Sequence, residues 1–211
     1  MFNIFKKNTE KITDTTPGAY VFIGRSGSGK GTQVQLLIKE LKAQGSKVLH
    51  VETGALLREY MKGDSYVQNI VKKLVQSGEL APDPVVVGTW INHIMKNYTG
   101  IEKIVFDGAP RKLIEAVFLD NTMRFLHLIK YKIIHIDVSR ESCEKRLLAR
   151  ARGDDNRQAI ENRMNWFDKD VVPCINLFRT NKEDCIMLDI NGEQSVEAIH
   201  DEIMRKTHLK Q

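Results

Sequence analysis

The chain has 211 residues, 42% of them hydrophobic and 28% charged, with a formal net charge of +5. This is ordinary globular composition, long enough for one well-buried domain, and no apolar run approaches the ~20 residues of a membrane span. The basic excess suits either nucleic acid or a polyphosphate site, and no basic stripe with interleaved aromatics supports the former.

Residues 1–18 read as a polar extension. The apolar part of Met1–Lys7 is too short for a signal peptide, and its charges follow rather than precede it. Phe2, Ile4 and Phe5 either dock on the domain or belong to a frayed end. A buried strand, Ala19–Ile23, then enters Gly24-Arg25-Ser26-Gly27-Ser28-Gly29-Lys30-Gly31-Thr32, and a helix runs from Lys30 to Gln44 with Leu36, Leu37, Ile38 and Leu41 as its apolar stripe. A short strand spans Lys47–Val51. Helices follow from Thr53, a candidate N-cap, from Ser65 to Gln76, and from Pro82 to Tyr98. Strand Ile101–Phe106 ends in Asp107-Gly108-Ala109-Pro110-Arg111, and a helix continues to Ile129. Strand Tyr131–Val138 precedes a helix capped by Ser139. Residues 152–156 interrupt it, and a long helix resumes past Arg163 and Trp166 towards Phe178. A fifth strand spans Asp184–Asp189, and a last helix Gln194–Lys206.

Strands that alternate with helices predict an α/β fold with a five-stranded parallel sheet covered on both faces. Ligands bind such sheets beyond the strand carboxyl ends, so Gly24, Thr53, Asp107 and Ser139 should meet at one crevice. Around Gly24–Thr32 the glycines let backbone N–H groups surround an anion, and the helix N-terminus adds its positive end. Lys30 reaches β- and γ-phosphates, and a hydroxyl such as Thr32 can hold Mg²⁺. The loop thus predicts a P-loop nucleotide site. The cysteines, Cys143, Cys174 and Cys185, are too few and too widely spaced for a disulfide framework or a zinc knuckle, and suit a reducing cytosol.

Five segments in order resemble the nucleoside monophosphate kinases, and the adenylate kinase family most closely. They are Gly27–Gln33; Thr53-Gly54-x-Leu56-Leu57-Arg58; Gly78-x-Leu80-x-Pro82-Asp83; Asp107-Gly108-x-Pro110-Arg111; and Arg152-x-Asp154-Asp155 with Arg163. The resemblance covers nearly all of the chain from Ala19 and implies one domain, residues 19–211, with a monophosphate-binding subdomain at about 53–82 and a short lid at about 146–157. It implies an ATP site at Gly27, Ser28, Gly29, Lys30, Gly31, Thr32, Arg146, Arg150 and Gln194. The acceptor site would comprise Thr53, Arg58, Glu79, Leu80, Ala81, Gly108, Ala109, Pro110, Arg111, Glu115, Arg152 and Arg163. Lys30, Arg111, Arg146, Arg152 and Arg163 would carry the chemistry, and Mg²⁺ would enter with ATP near Thr32 and Asp107. No zinc, nucleic acid or membrane partner is expected of what would be a cytoplasmic monomer.

Three departures from the family pattern stand out. Ala109 replaces a Phe and Ala55 an Asp, both beside the acceptor. Only Ala151 separates Arg150 from Arg152, which shortens the lid. Glu115 replaces a base-reading Gln; a carboxylate only accepts hydrogen bonds, so it opposes adenine N1 and suits guanine or cytosine edges. AMP is the favoured acceptor, with GMP or CMP/UMP as the alternative, and a weakly active nucleotide-binding regulatory module as the alternative of another class. Read by residue type alone, Glu115 is a solvent-facing helix residue, Asp154 and Asp155 are helix caps, and Arg140, Arg157, Arg179 and Arg205 are solvated charges.

Overall fold

In a computed structural model that describes residues 17–77, 79–150 and 156–209, strands β1 (Gly18–Ile23), β2 (Val48–Glu52), β3 (Lys103–Asp107), β4 (Tyr131–Asp137) and β5 (Cys185–Asn191) form one sheet in the order β2-β3-β1-β4-β5. Every pairing is parallel. The helices are α1 (Lys30–Ala43), α2 (Thr53–Tyr60), α3 (Tyr66–Gln76), α4 (Asp83–Asn97), α5 (Leu113–Phe125), α6 (Arg140–Arg150), α7 (Arg157–Trp166), α8 (Val172–Thr180) and α9 (Val196–Lys206). The expected five-stranded parallel architecture is therefore present. Residues 1–16, Gly78, residues 151–155 and the last two residues lie outside the described part, and with them most of the expected extension and the centre of the expected lid.

The sheet is buried on both faces, as parallel sheets must be. Alternate residues of β1 enter different cores: Ala19, Val21 and Ile23 join Trp90, Phe106 and Phe178 on one side, while Tyr20 and Phe22 join Leu37, Leu41 and Ile203 on the other. Trp90 meets Phe106 edge to face at 5.6 Å, the geometry that ring quadrupoles favour.

Two local expectations change. Thr53 is the first residue of α2 rather than its cap, which is Glu52; the Thr53 hydroxyl instead donates to Asp107 O at 3.2 Å and ties α2 to the end of β3. The long helix after residue 156 contains a π-turn, Phe167–Val171, between α7 and α8. Pro173 has no N–H to continue the ladder, so the hydrogen-bond pattern shifts ahead of it. Asn156 caps α7, its side chain accepting from Ala159 N at 2.8 Å. Ser139 does cap α6, its hydroxyl accepting from Ser142 N at 3.2 Å.

One buried carboxylate joins three elements away from the crevice. Asp120 of α5 accepts from Tyr131 Oη of β4 at 2.8 Å, from Asn181 Nδ2 after α8 at 2.8 Å, and from Arg124 Nε at 3.0 Å. Burial, first, and the Asp120 hydrogen bond, second, push the Tyr131 phenol well above its usual range. Removing Asp120 would leave that hydroxyl inside the core without its acceptor. Asp120→Ala is expected to cost about 2–4 kcal/mol of unfolding free energy, measured by urea denaturation, with kcat unchanged.

Candidate active site

The crevice is built where β1, β2 and β3 end level with one another: Phe22 pairs with Asp107, and Glu52 pairs with Asp107 from the other side. The glycine loop leaves β1 there. Gly27 has φ 87°, and a Cβ on it would sit 2.7 Å from Cys143 O and 2.9 Å from the Leu147 side chain of α6. Both conformation and space therefore require glycine at that point. Gly29, also left-handed, takes the N-cap position of α1, and no side chain caps that helix. Its first-turn amides are thus available to an anion.

Lys30 bends back over the loop. Its Nζ donates to Gly24 O and Arg25 O, both at 2.7 Å. Burial lowers its pKa to about 8, against the pull of Asp107 in the other direction. Burial likewise raises the half-buried Asp107 carboxyl, which Lys30 and His50 draw down and Glu52 pushes further up. Arg111 and Arg150 also act on Lys30. Thr32 is exposed one turn into α1, and Ser28 is fully buried, its hydroxyl lacking a partner among the described residues.

On the acceptor side, the loop after β3 is locked to α2. Gly108 has φ 91°, and a Cβ there would lie 2.7 Å from Thr53 Oγ1. Arg111 Nε donates to Gly108 O at 2.9 Å, and the guanidinium stands within electrostatic reach of Glu115, Asp107, Arg163 and Arg58. Arg58, half exposed, pairs with Glu52 at 3.0 Å. Glu115 does not face solvent: it is 3% exposed, and its Oε2 accepts from Arg111 N at 2.9 Å. Burial raises its pKa, while Arg111 draws it down and the nearby Asp83 adds to the rise. Ala109 and Pro110 are buried, and the Ala109 methyl belongs to the core cluster beneath the loop. Ala81 is buried, whereas Glu79 and Leu80 line a cleft of about 480 Å³ with Lys112 and Trp166.

Arg146 Nη2 donates to Gly192 O at 3.0 Å. In the same turn Gln194 donates to Asn191 O at 3.0 Å and to Glu202 at 2.9 Å, so these two predicted ATP residues share one loop. Arg150 ends α6, and Arg163 is half-buried in α7. Arg152 lies outside the described residues. Residue-type reasoning missed two participants. Arg140 is not simply solvated: it bonds Glu144 at 2.9 Å and Asn165 at 3.0 Å. Arg25 reaches across to Asp168 at 2.6 Å; its place inside a loop otherwise made of small residues was the available signal.

A left-handed glycine loop at an uncapped helix start, with its lysine against an aspartate ending the neighbouring strand, defines a P-loop nucleotide-binding protein. A family model described as "Adenylate kinase" matches residues 22–183. Over 183 residues the chain is 30% identical to "Adenylate kinase 1" of Nostoc sp., covering 87% of this chain and 95% of that protein. It is 30% identical over 189 residues to an "Adenylate kinase" of Leptospira biflexa, covering 88% and 97% of the two chains. With a Prochlorococcus marinus "Adenylate kinase" the identity is 32% over 183 residues, or 87% and 94% of the chains. The chain belongs to the adenylate kinase family. It is accordingly a nucleoside monophosphate kinase, and the family's transfer between ATP and AMP is favoured over other acceptors or a regulatory module. Among the described residues no helix is long and apolar enough to cross a membrane, and no three His, Cys, Asp or Glu side chains are grouped to hold a metal.

Proposed function

We propose that this chain catalyses ATP + AMP ⇌ 2 ADP and that its own cations do most of the work. The observation that carries the reading is the gathering of Lys30, Arg58 and Arg163 within electrostatic reach of Arg111, with Lys30 and Arg111 themselves acting on Asp107 at the strand ends. Phosphoryl transfer asks the protein for in-line placement and positive charge over the moving oxygens, with little covalent help. Lys30 and the loop amides hold the donor phosphates, Lys30 exchanging its two loop carbonyls for phosphate oxygens. Arg146, Arg150 and Gln194 complete the donor side. Arg58 and Arg111 grip the acceptor phosphate, since a guanidinium binds phosphate in two-pronged fashion. Arg152 and Arg163 act on the transferring group. The attacking atom is a phosphate oxygen already ionised at neutral pH, so the reaction needs no general base.

The oxygen donors Thr32 and Asp107 suit Mg²⁺, which would enter on the ATP phosphates and neutralise part of their charge. Residues 53–82 act as the acceptor subdomain and 146–157 as a short lid, and their closure excludes water, the competing acceptor. The reading takes the enzyme as a cytoplasmic monomer that binds no zinc, nucleic acid or membrane; its three free, buried thiols support a reducing compartment.

A coupled assay of ATP against AMP, GMP, CMP, UMP and dTMP tests the proposal. AMP is expected to give the highest kcat/KM, and turnover of another acceptor above AMP would overturn it. Glu115→Gln then tests the base contact: an amide donates to adenine N1 where a carboxylate does not. The variant is expected to raise the AMP-to-GMP ratio of kcat/KM by about tenfold. An unchanged ratio would remove Glu115 from the base site.

A further inference from the structure

We infer that Asp168 is a positioning residue, a hub that keeps the phosphate loop and the arginine-bearing helices α6 and α7 in register. Asp168 is the second residue of the π-turn, directly after the buried Phe167. Its Oδ1 lies 2.6 Å from Arg25 Nη2 of the loop, and its Oδ2 lies 3.7 Å from Arg140 Nη1 at the start of α6. The Arg25 guanidinium also lies over the Phe167 ring, 4.4 Å from its centroid, and Nη1 donates to Val138 O at 3.3 Å. Arg140 Nη1 returns to α7 through Asn165 Oδ1 at 3.0 Å.

Three segments therefore meet at one carboxylate. The loop carries Lys30, α6 carries Arg146 and Arg150, and α7 carries Arg163 one turn before Phe167. The Arg25 Nε is buried without a partner, a cost that the guanidinium's other contacts sustain. A gain in fold stability is a poor account of the hub, because Asp168 is 45% exposed and such ion pairs contribute little. Its geometry matters more: a shift of about 1 Å in a group acting on the transferring phosphate can cost about 100-fold in rate.

The inference rests on the reading that Lys30 and Arg163 act on the transferred phosphoryl group. A double-mutant cycle in kcat tests it, using Arg25→Ala, Asp168→Ala and the double variant of the full chain. Each single change is expected to lower kcat about tenfold or more, with both KM values within about twofold. The double variant should be no slower than the worse single one, because both changes break one linkage. Arg25→Lys keeps the charge but loses the flat two-pronged contact, and should fall between. Multiplicative losses, unchanged kcat, or losses confined to KM would each overturn the inference. Should an alanine variant fail to fold, Asp168→Asn with Arg25→Lys decides: full kcat in both is the overturning result. Lys30→Ala and Arg163→Ala serve as the reference pair. Normal turnover in that pair would reject the underlying reading. Their loss beside full kcat in the Asp168 variants would reject the hub alone.

Discussion

Lys30→Ala is expected to lower kcat/KM for ATP by roughly 10²–10³-fold, the scale seen when a preorganised donor to a reacting group is removed. The fold should survive. Burial already holds the ammonium at a pKa of about 8, far below its value in an unfolded chain, so the folded state keeps this charge at a cost. Between that pH and the ordinary lysine range the unfolded chain binds the extra proton, and stability contributed by this site rises with pH. Replacing Lys30 removes the cost, and the melting temperature should hold or increase. The same lowered pKa sets an alkaline limb for function. As pH rises through about 8 the unliganded enzyme loses the cation that meets the donor phosphates, so kcat/KM for ATP should fall there, and the limb should vanish in Lys30→Ala. Normal ATP kinetics in the variant, or an unchanged limb, would remove Lys30 from the donor site.

Arg111→Ala is expected to reduce kcat/KM for AMP by roughly 10³-fold or more, by the measure of other arginines that face a transferring phosphate. Among the described residues its side chain makes one hydrogen bond, to Gly108 O, so little of the fold depends on it. Its backbone N–H, which holds Glu115, is untouched by the change. Arg111→Lys restores the charge without the two-pronged grip and should recover only a fraction of the loss. Binding of ATP alone, followed by calorimetry, should stay within a few-fold of the parent. An equal loss on the ATP and AMP sides would show that Arg111 does not distinguish donor from acceptor.

Strand and helix order was legible because it rests on local chemistry. The apolar run at 19–23, the glycines after it and the Ser139 cap each act within a few residues. The loop lysine and the Asp107–Arg111 turn were legible for the same reason. Less visible was anything that depends on a distant partner. Thr53 looks like a cap by residue type, yet its hydroxyl is taken by Asp107 O. Glu115 falls among apolar neighbours at the start of a helix, and nothing local says that the Arg111 amide will draw it inside. Arg25 and Asp168 are 143 residues apart in the chain, and no periodicity announces their meeting. The π-turn had one sequence sign, Pro173, whose effect falls on the residues before it rather than at its own position.

β1 pairs with β3 and β4, and with no strand nearer in sequence. During synthesis β1 therefore waits for residues 103–107 and 131–137 before its place in the sheet exists, and Gly27 waits longer for the Cys143–Leu147 turn that backs it. A nascent chain that ends before Leu147 lacks the backing of its phosphate loop, so ATP can stabilise it only once that residue has emerged.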